Sequence, residues 1–67
     1  MSKAISSREI IAILENNGFV KKSQKGSHVK YVYGSKIVIV PHPKHSIPTG
    51  TFLSIIRQSG LTKQDFE

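Results

Sequence analysis

The sequence predicts an α+β domain of α-β-β-β-α order, a three-stranded antiparallel meander with helices packed on one face. Three observations point there. Apolar residues alternate with a period of two between Phe19 and Val40. Gly-Ser interrupts that stretch twice, at Gly26-Ser27 and Gly34-Ser35. On either side stands a segment whose apolar residues recur at helical spacing. A chain of 67 residues holds one core, so residues 1–67 are read as a single domain.

The first helix is announced by Ser6-Ser7-Arg8-Glu9. A serine hydroxyl there can accept the amide three residues on while Glu9 reaches back, and Ile5 can staple onto Ile10. Ile10, Ile13 and Leu14, with Ile11 beside them, form one apolar stripe. Asn17-Gly18 supplies the left-handed exit.

Strands are expected over residues 19–25, 28–33 and 36–40. Two-residue turns then set Lys25 opposite His28, Lys30 opposite Ser23 and Ile39, and Tyr31 opposite Lys22 and Val38. One face of that sheet carries Val20, Val29, Tyr31, Tyr33, Val38 and Val40, and is expected to meet the helices. The other carries Lys21, Ser23, Lys25, His28 and Lys30 beside Val32, Ile37 and Ile39. Burying three lysines and a histidine without counter-charges is prohibitive, so this second face is expected to meet solvent or a partner.

Pro41, Pro43 and Pro48 make residues 41–48 a stiff connector. Thr49 or Thr51 then opens a second helix whose stripe is Phe52, Leu53, Ile55 and Ile56, closed by Gly60. Thr62-Lys63-Gln64-Asp65 repeats the capping pattern, and a final helical turn around Phe66 is expected.

Composition narrows the function. The absence of cysteine removes disulfides and thiolate metal sites. No apolar run reaches the roughly 20 residues of a membrane-spanning helix. Met1, Ser2, Lys3 and Ala4 lack the apolar stretch of a signal peptide, so a cytoplasmic location is expected. Ten Lys plus Arg face four Asp plus Glu, for a formal net charge of +6, and all four acids lie before residue 16 or after residue 64. That distribution fits a polyanionic partner.

Among the titratable groups, an imidazole is the one that takes a proton near neutral pH without special burial. His28 follows a tight turn, with Lys25 across the hairpin and Lys30 along its own strand. One histidine to deprotonate a ribose 2′-hydroxyl, with lysines around the phosphate, is close to the least equipment needed for metal-free RNA cleavage. A surface histidine of no function is the competing reading. His42 and His45, three apart, do not define a metal site: no loop spacing enforces the geometry, no carboxylate orients the ligands, and Lys44 repels a cation. No metal or cofactor is expected. The register brings His42 near the His28 end of the sheet, where it can contact phosphate or protonate a leaving oxygen, its direction left open. There is no P-loop spacing around Gly26 and no GxSxG elbow at Ser27.

Several segments together resemble the HicA toxins: Gly18-Phe19, Gln24-Lys25-Gly26-Ser27-His28 with Lys30 and Tyr31, residues 38–43 reading VIVPHP, and Pro48-Thr49-Gly50-Thr51-Phe52 through Leu61. The similarity spans roughly residues 5–62. It implies a double-stranded-RNA-binding-domain-like fold, ribosome-independent mRNA endoribonuclease activity and neutralisation by a HicB antitoxin. The family's catalytic histidine falls on His28, and its Gly-Ser turn on Gly26 and Ser27.

The expectation is therefore an mRNA endoribonuclease. His28 is its general base, and Lys21, Lys22, Lys25, Gly26, Ser27, Lys30 and His42 contact RNA. Residues 49–56 contain no lysine, which disfavours duplex recognition by shape and favours single-stranded or loop RNA. The alternatives are a non-catalytic nucleic-acid-binding module and a protein-interaction domain using Val32, Ile37 and Ile39. An acidic antitoxin segment over the His28 face would cover those apolar residues and the lysines together.

Overall fold

A computed structural model describes residues 4–67, so the reading of Met1–Lys3 lies outside the described residues. The chain runs α1 (Ser7–Asn16), β1 (Val20–Lys25), β2 (His28–Tyr33), β3 (Lys36–Pro41) and α2 (Thr49–Ser59), followed by a single 3₁₀ turn (Lys63–Phe66). The three strands form one antiparallel sheet in the order β1-β2-β3, and the architecture is α+β with a double-stranded-RNA-binding-domain-like α-β-β-β-α order.

Ser6 caps α1 with the expected reciprocal pair: the Glu9 amide donates to Ser6 Oγ at 3.1 Å, and the Ser6 amide donates to Glu9 Oε1 at 2.9 Å. The helix buries Ser7, Ile10 and Leu14, of which Ile10 and Leu14 join the core. It ends at Asn16, and Gly18 just beyond has a φ of +92° that suits glycine, while a β-carbon there would stand 3.1 Å from Tyr33 Cε1. Two constraints thus meet at this one glycine.

Both turns fall where Gly-Ser stands, with Gly26 and Gly34 at φ +59° and +60°. The β2–β3 register is the expected one throughout, from Tyr33 opposite Lys36 to His28 opposite Pro41. The β1–β2 register agrees from Lys25–His28 to Ser23–Lys30 and then slips, because a bulge at Lys22 sets Lys21 opposite Tyr31 and Val20 opposite Val32. Beyond the bulge the faces are exchanged. Val20, expected in the core, is 60% exposed, and Lys21, expected beside His28, lies on the helix side, where its Nζ donates to Gln24 Oε1 at 3.0 Å.

The core gathers Ile10 and Leu14 of α1, Phe19, Val29 and Tyr31, Val38 and Val40, Ile47, Ile55 of α2, and Phe66 of the terminal turn. Fully burying one such aliphatic side chain contributes about 1.5–3 kcal/mol, which makes this single layer the main source of stability. Tyr33, expected on the core face, is 52% exposed and packs on Phe19 in a tilted contact, with ring centroids 5.5 Å apart and an interplanar angle of 45°. Leu53, expected in the stripe of α2, is exposed, and Phe52 instead meets Phe66 in a T-shaped contact at 5.6 Å. The connector between β3 and α2 is strapped to the start of α1. The Ser7 amide donates to the Lys44 carbonyl and the Ile47 amide to the Ile5 carbonyl, both at 2.8 Å.

Candidate active site on the outer face of the sheet

Among the described residues, helices cover one face of the sheet. Side chains alternate along β2, so burying Val29 and Tyr31 turns His28, Lys30 and Val32 to the opposite face. Residues directly opposite each other share a face, which adds Lys25 and Ser23 from β1 and Pro41, Ile39 and Ile37 from β3. His28 therefore stands exposed at the first position of β2, with Lys25 directly across the hairpin and Lys30 two residues along. Its ring makes no hydrogen bond among the described residues. An imidazole in that state is available to a ligand.

The charge around it is of one sign. Glu15 accepts the Tyr31 hydroxyl at 2.9 Å on the helix side, Asp65 accepts the Thr62 amide at 2.8 Å, and Glu9 serves the α1 cap. None of these carboxylates is on the outer face, and Lys25 and Lys30 make no ion pair among the described residues. The acids that titrate abnormally are likewise remote. Burial first, then the hydrogen bond to Glu15, pushes the Tyr31 hydroxyl up to about 12, and the Thr62 amide and hydroxyl hold the Asp65 carboxyl below its ordinary range.

The turn preceding His28 is open. Nothing lies within 4 Å of the space a Gly26 β-carbon would take, so its positive φ is the reason for glycine there. The Gly26 carbonyl accepts Gln24 Nε2 at 3.2 Å, and the Ser27 carbonyl accepts the His42 amide at 2.7 Å. That second bond carries the β2–β3 pairing one residue past Pro41 and holds the His42 backbone beside His28.

The His42 side chain goes the other way. Its Nδ1 lies 2.7 Å from Ser7 Oγ, on the helix side, and Ser7 Oγ also accepts the Lys44 amide at 2.8 Å. Ser7 is 1% exposed, so its hydroxyl hydrogen needs an acceptor, and donation to Nδ1 leaves the neutral ring with its proton on Nε2. Of the site residues expected from sequence, the structure brings together His28, Lys25, Lys30, Gly26 and Ser27. Lys21 sits on the helix side at the bulge, where Lys22 is the extra residue, and the His42 ring turns away from the His28 face. Among the described residues no three His, Asp or Glu side chains gather as a metal site, and no helix is long and apolar enough to cross a membrane. The Ser7 anchor of His42 was missed from sequence, where capping of α1 already accounts for Ser6-Ser7.

Comparison with known proteins agrees with this architecture. The curated proteins contain no match to the chain. The family described as the HicA toxin of bacterial toxin–antitoxin systems matches residues 7–61, a span running from the first residue of α1 past the end of α2 and including His28, both turns and the connector. With the helix–sheet–helix order and the outer-face histidine in place, a match over most of its length makes this chain a member of the HicA toxin family of toxin–antitoxin systems.

Proposed function

We propose that the protein is a ribosome-independent mRNA endoribonuclease whose general base is His28. The observation that carries this reading is the exposed imidazole at the start of β2, flanked by Lys25 and Lys30 on a face to which the strand residues described bring no carboxylate. His28 takes the proton of a ribose 2′-hydroxyl. The 2′-oxygen attacks the adjacent phosphorus, and the bond from phosphorus to the 5′-oxygen breaks. The leaving oxygen takes a proton from solvent. The products are a 2′,3′-cyclic phosphate and a 5′-hydroxyl. Lys25 and Lys30 hold the non-bridging oxygens and offset charge as it grows on them, and the open Gly26-Ser27 turn lets the backbone of the strand approach. No step requires a metal or a cofactor.

Substrate and partner follow from the same face. A single strand or loop presents its 2′-hydroxyl and phosphate to a shallow sheet surface, and α2 opens with no lysine for duplex phosphates. Ile37 and Ile39, 51% and 37% exposed, lie on β3 beside the basic strip, with Val20 across the sheet. A HicB antitoxin segment with acidic and apolar residues would cover them and His28 together.

Incubation of the chain with labelled mRNA in EDTA, beside His28→Ala, tests the reading. Cutting by the native chain and binding without cutting by the variant support it. Equal binding with no cutting by either protein would leave a nucleic-acid-binding module in its place.

A further inference from the structure

A second group of basic side chains lies away from the His28 face. Between the start of α1 and residues 42–45 runs a cleft of about 380 Å³, lined by Arg8, His42, Lys44 and His45 above Ser6 and Ser7. Among the described residues no carboxylate lines it. Glu9, the nearest acid in sequence, is held by the Ser6 amide and faces a separate groove against Phe52 and Phe66. The walls are fixed by three bonds already described, two between Ser7 and Lys44 and one between Ser7 and His42.

We propose that this cleft is a second phosphate subsite, holding a backbone phosphate of the same RNA strand beyond the one at His28. It rests on RNA being the ligand of the His28 face. Continuity comes from the 2.7 Å bond between the His42 amide and the Ser27 carbonyl, which joins the rim of the cleft to the turn preceding His28. A strand crossing the outer face at His28 and passing over that turn arrives at the cleft. Arg8 offers a planar pair of donors to phosphate oxygens, and Lys44 a compact charge. His42, with Nδ1 occupied by Ser7, has Nε2–H left to donate to the same phosphate. Buried Ser7 is thus the positioning residue of the subsite. A dinucleotide has one phosphodiester and fills only the His28 site, whereas a longer strand fills both.

Binding of a labelled single-stranded oligoribonucleotide and of a dinucleotide, measured by fluorescence anisotropy against salt in a His28→Ala background, tests the proposal. With Arg8→Ala/Lys44→Ala the oligonucleotide is expected to bind about tenfold more weakly, with a log–log salt slope smaller by about 0.7 for the one phosphate released. Dinucleotide binding stays within about twofold, and so does oligonucleotide binding by Arg57→Ala/Lys63→Ala, which removes equal charge elsewhere. An unchanged slope and affinity in the Arg8/Lys44 variant would overturn the subsite, as would an equal loss in the Arg57/Lys63 variant. With His28 restored, a native chain that cuts no RNA while the slope still responds to Arg8 and Lys44 removes the cleavage reading and leaves the cleft. Normal cutting with an unresponsive slope removes the cleft and leaves the cleavage reading.

Discussion

Ser7 and His42, 35 residues apart, are joined by a bond of 2.7 Å between Oγ and Nδ1 that locks the connector after β3 to the first turn of α1. The bond sets the orientation of one histidine near the candidate site and leaves the other, His28, without a competitor on its face. It also gives Ser7 a tertiary duty that its position in a helix does not suggest.

Ser7→Ala removes the acceptor of the Lys44 amide and the partner of His42 together. Losing a buried hydrogen-bonded pair costs about 1–3 kcal/mol. In a domain of this size each kcal/mol lowers Tm by about 4–8 °C, so thermal unfolding reads the change directly. Nitrogen-15 shifts of the His42 ring supply the second readout. The native ring is expected to show a protonated Nε2 and an unprotonated Nδ1, and the variant a mixture. Unaltered ring shifts in Ser7→Ala would contradict the bond.

Tyr31 makes stability depend on alkaline pH. Its folded-state pKa, about 12, lies above the ordinary value of 10.0, so the folded chain holds this proton more tightly than the unfolded chain. The resulting stability is fully present below pH 10 and is lost as pH rises from 10 through 12. Tyr31→Phe is expected to cost about 1 kcal/mol at neutral pH through the lost bond to Glu15, and to flatten that alkaline decline. Urea unfolding at neutral pH and across the alkaline window measures both. An identical decline in the variant would assign it to other groups.

Gly18 and Gly34 share a positive φ but not their surroundings. At Gly34 an added β-carbon meets nothing within 4 Å, whereas at Gly18 it meets the Tyr33 ring at 3.1 Å. Gly34→Ala is expected to cost the left-handed strain alone, about 1–2 kcal/mol. Gly18→Ala costs more, because the ring on Phe19 must shift as well. Equal midpoints for the two variants in denaturant titration would show that Tyr33 gives way freely.

The parts of this fold legible in the sequence are those where two constraints agree. Between β2 and β3 a two-residue turn and the alternating Val29, Tyr31, Val38 and Val40 demand the same register, and that register is observed. In β1 the turn alone acts, because residues 20–25 read VKKSQK with a single apolar side chain. Nothing there opposes a slip, so the bulge at Lys22 carries Val20 and Lys21 to faces the pattern did not indicate. The grouping of His28 with Lys25 and Lys30 needs only the hairpin and was therefore readable. The direction of His42 depends on the path of a proline-rich connector and on a hydroxyl 35 residues earlier, neither of which has a local signature.

End-group analysis of cleaved RNA tests the role of His28 most directly. The native chain is expected to leave 2′,3′-cyclic phosphate and 5′-hydroxyl ends and to spare a strand carrying 2′-deoxyribose at the cut site, while His28→Ala binds the same RNA and does not cut it. Cutting by His28→Ala at the native rate, or 5′-phosphate ends from the native chain, would contradict the assignment of the outer-face imidazole as the base.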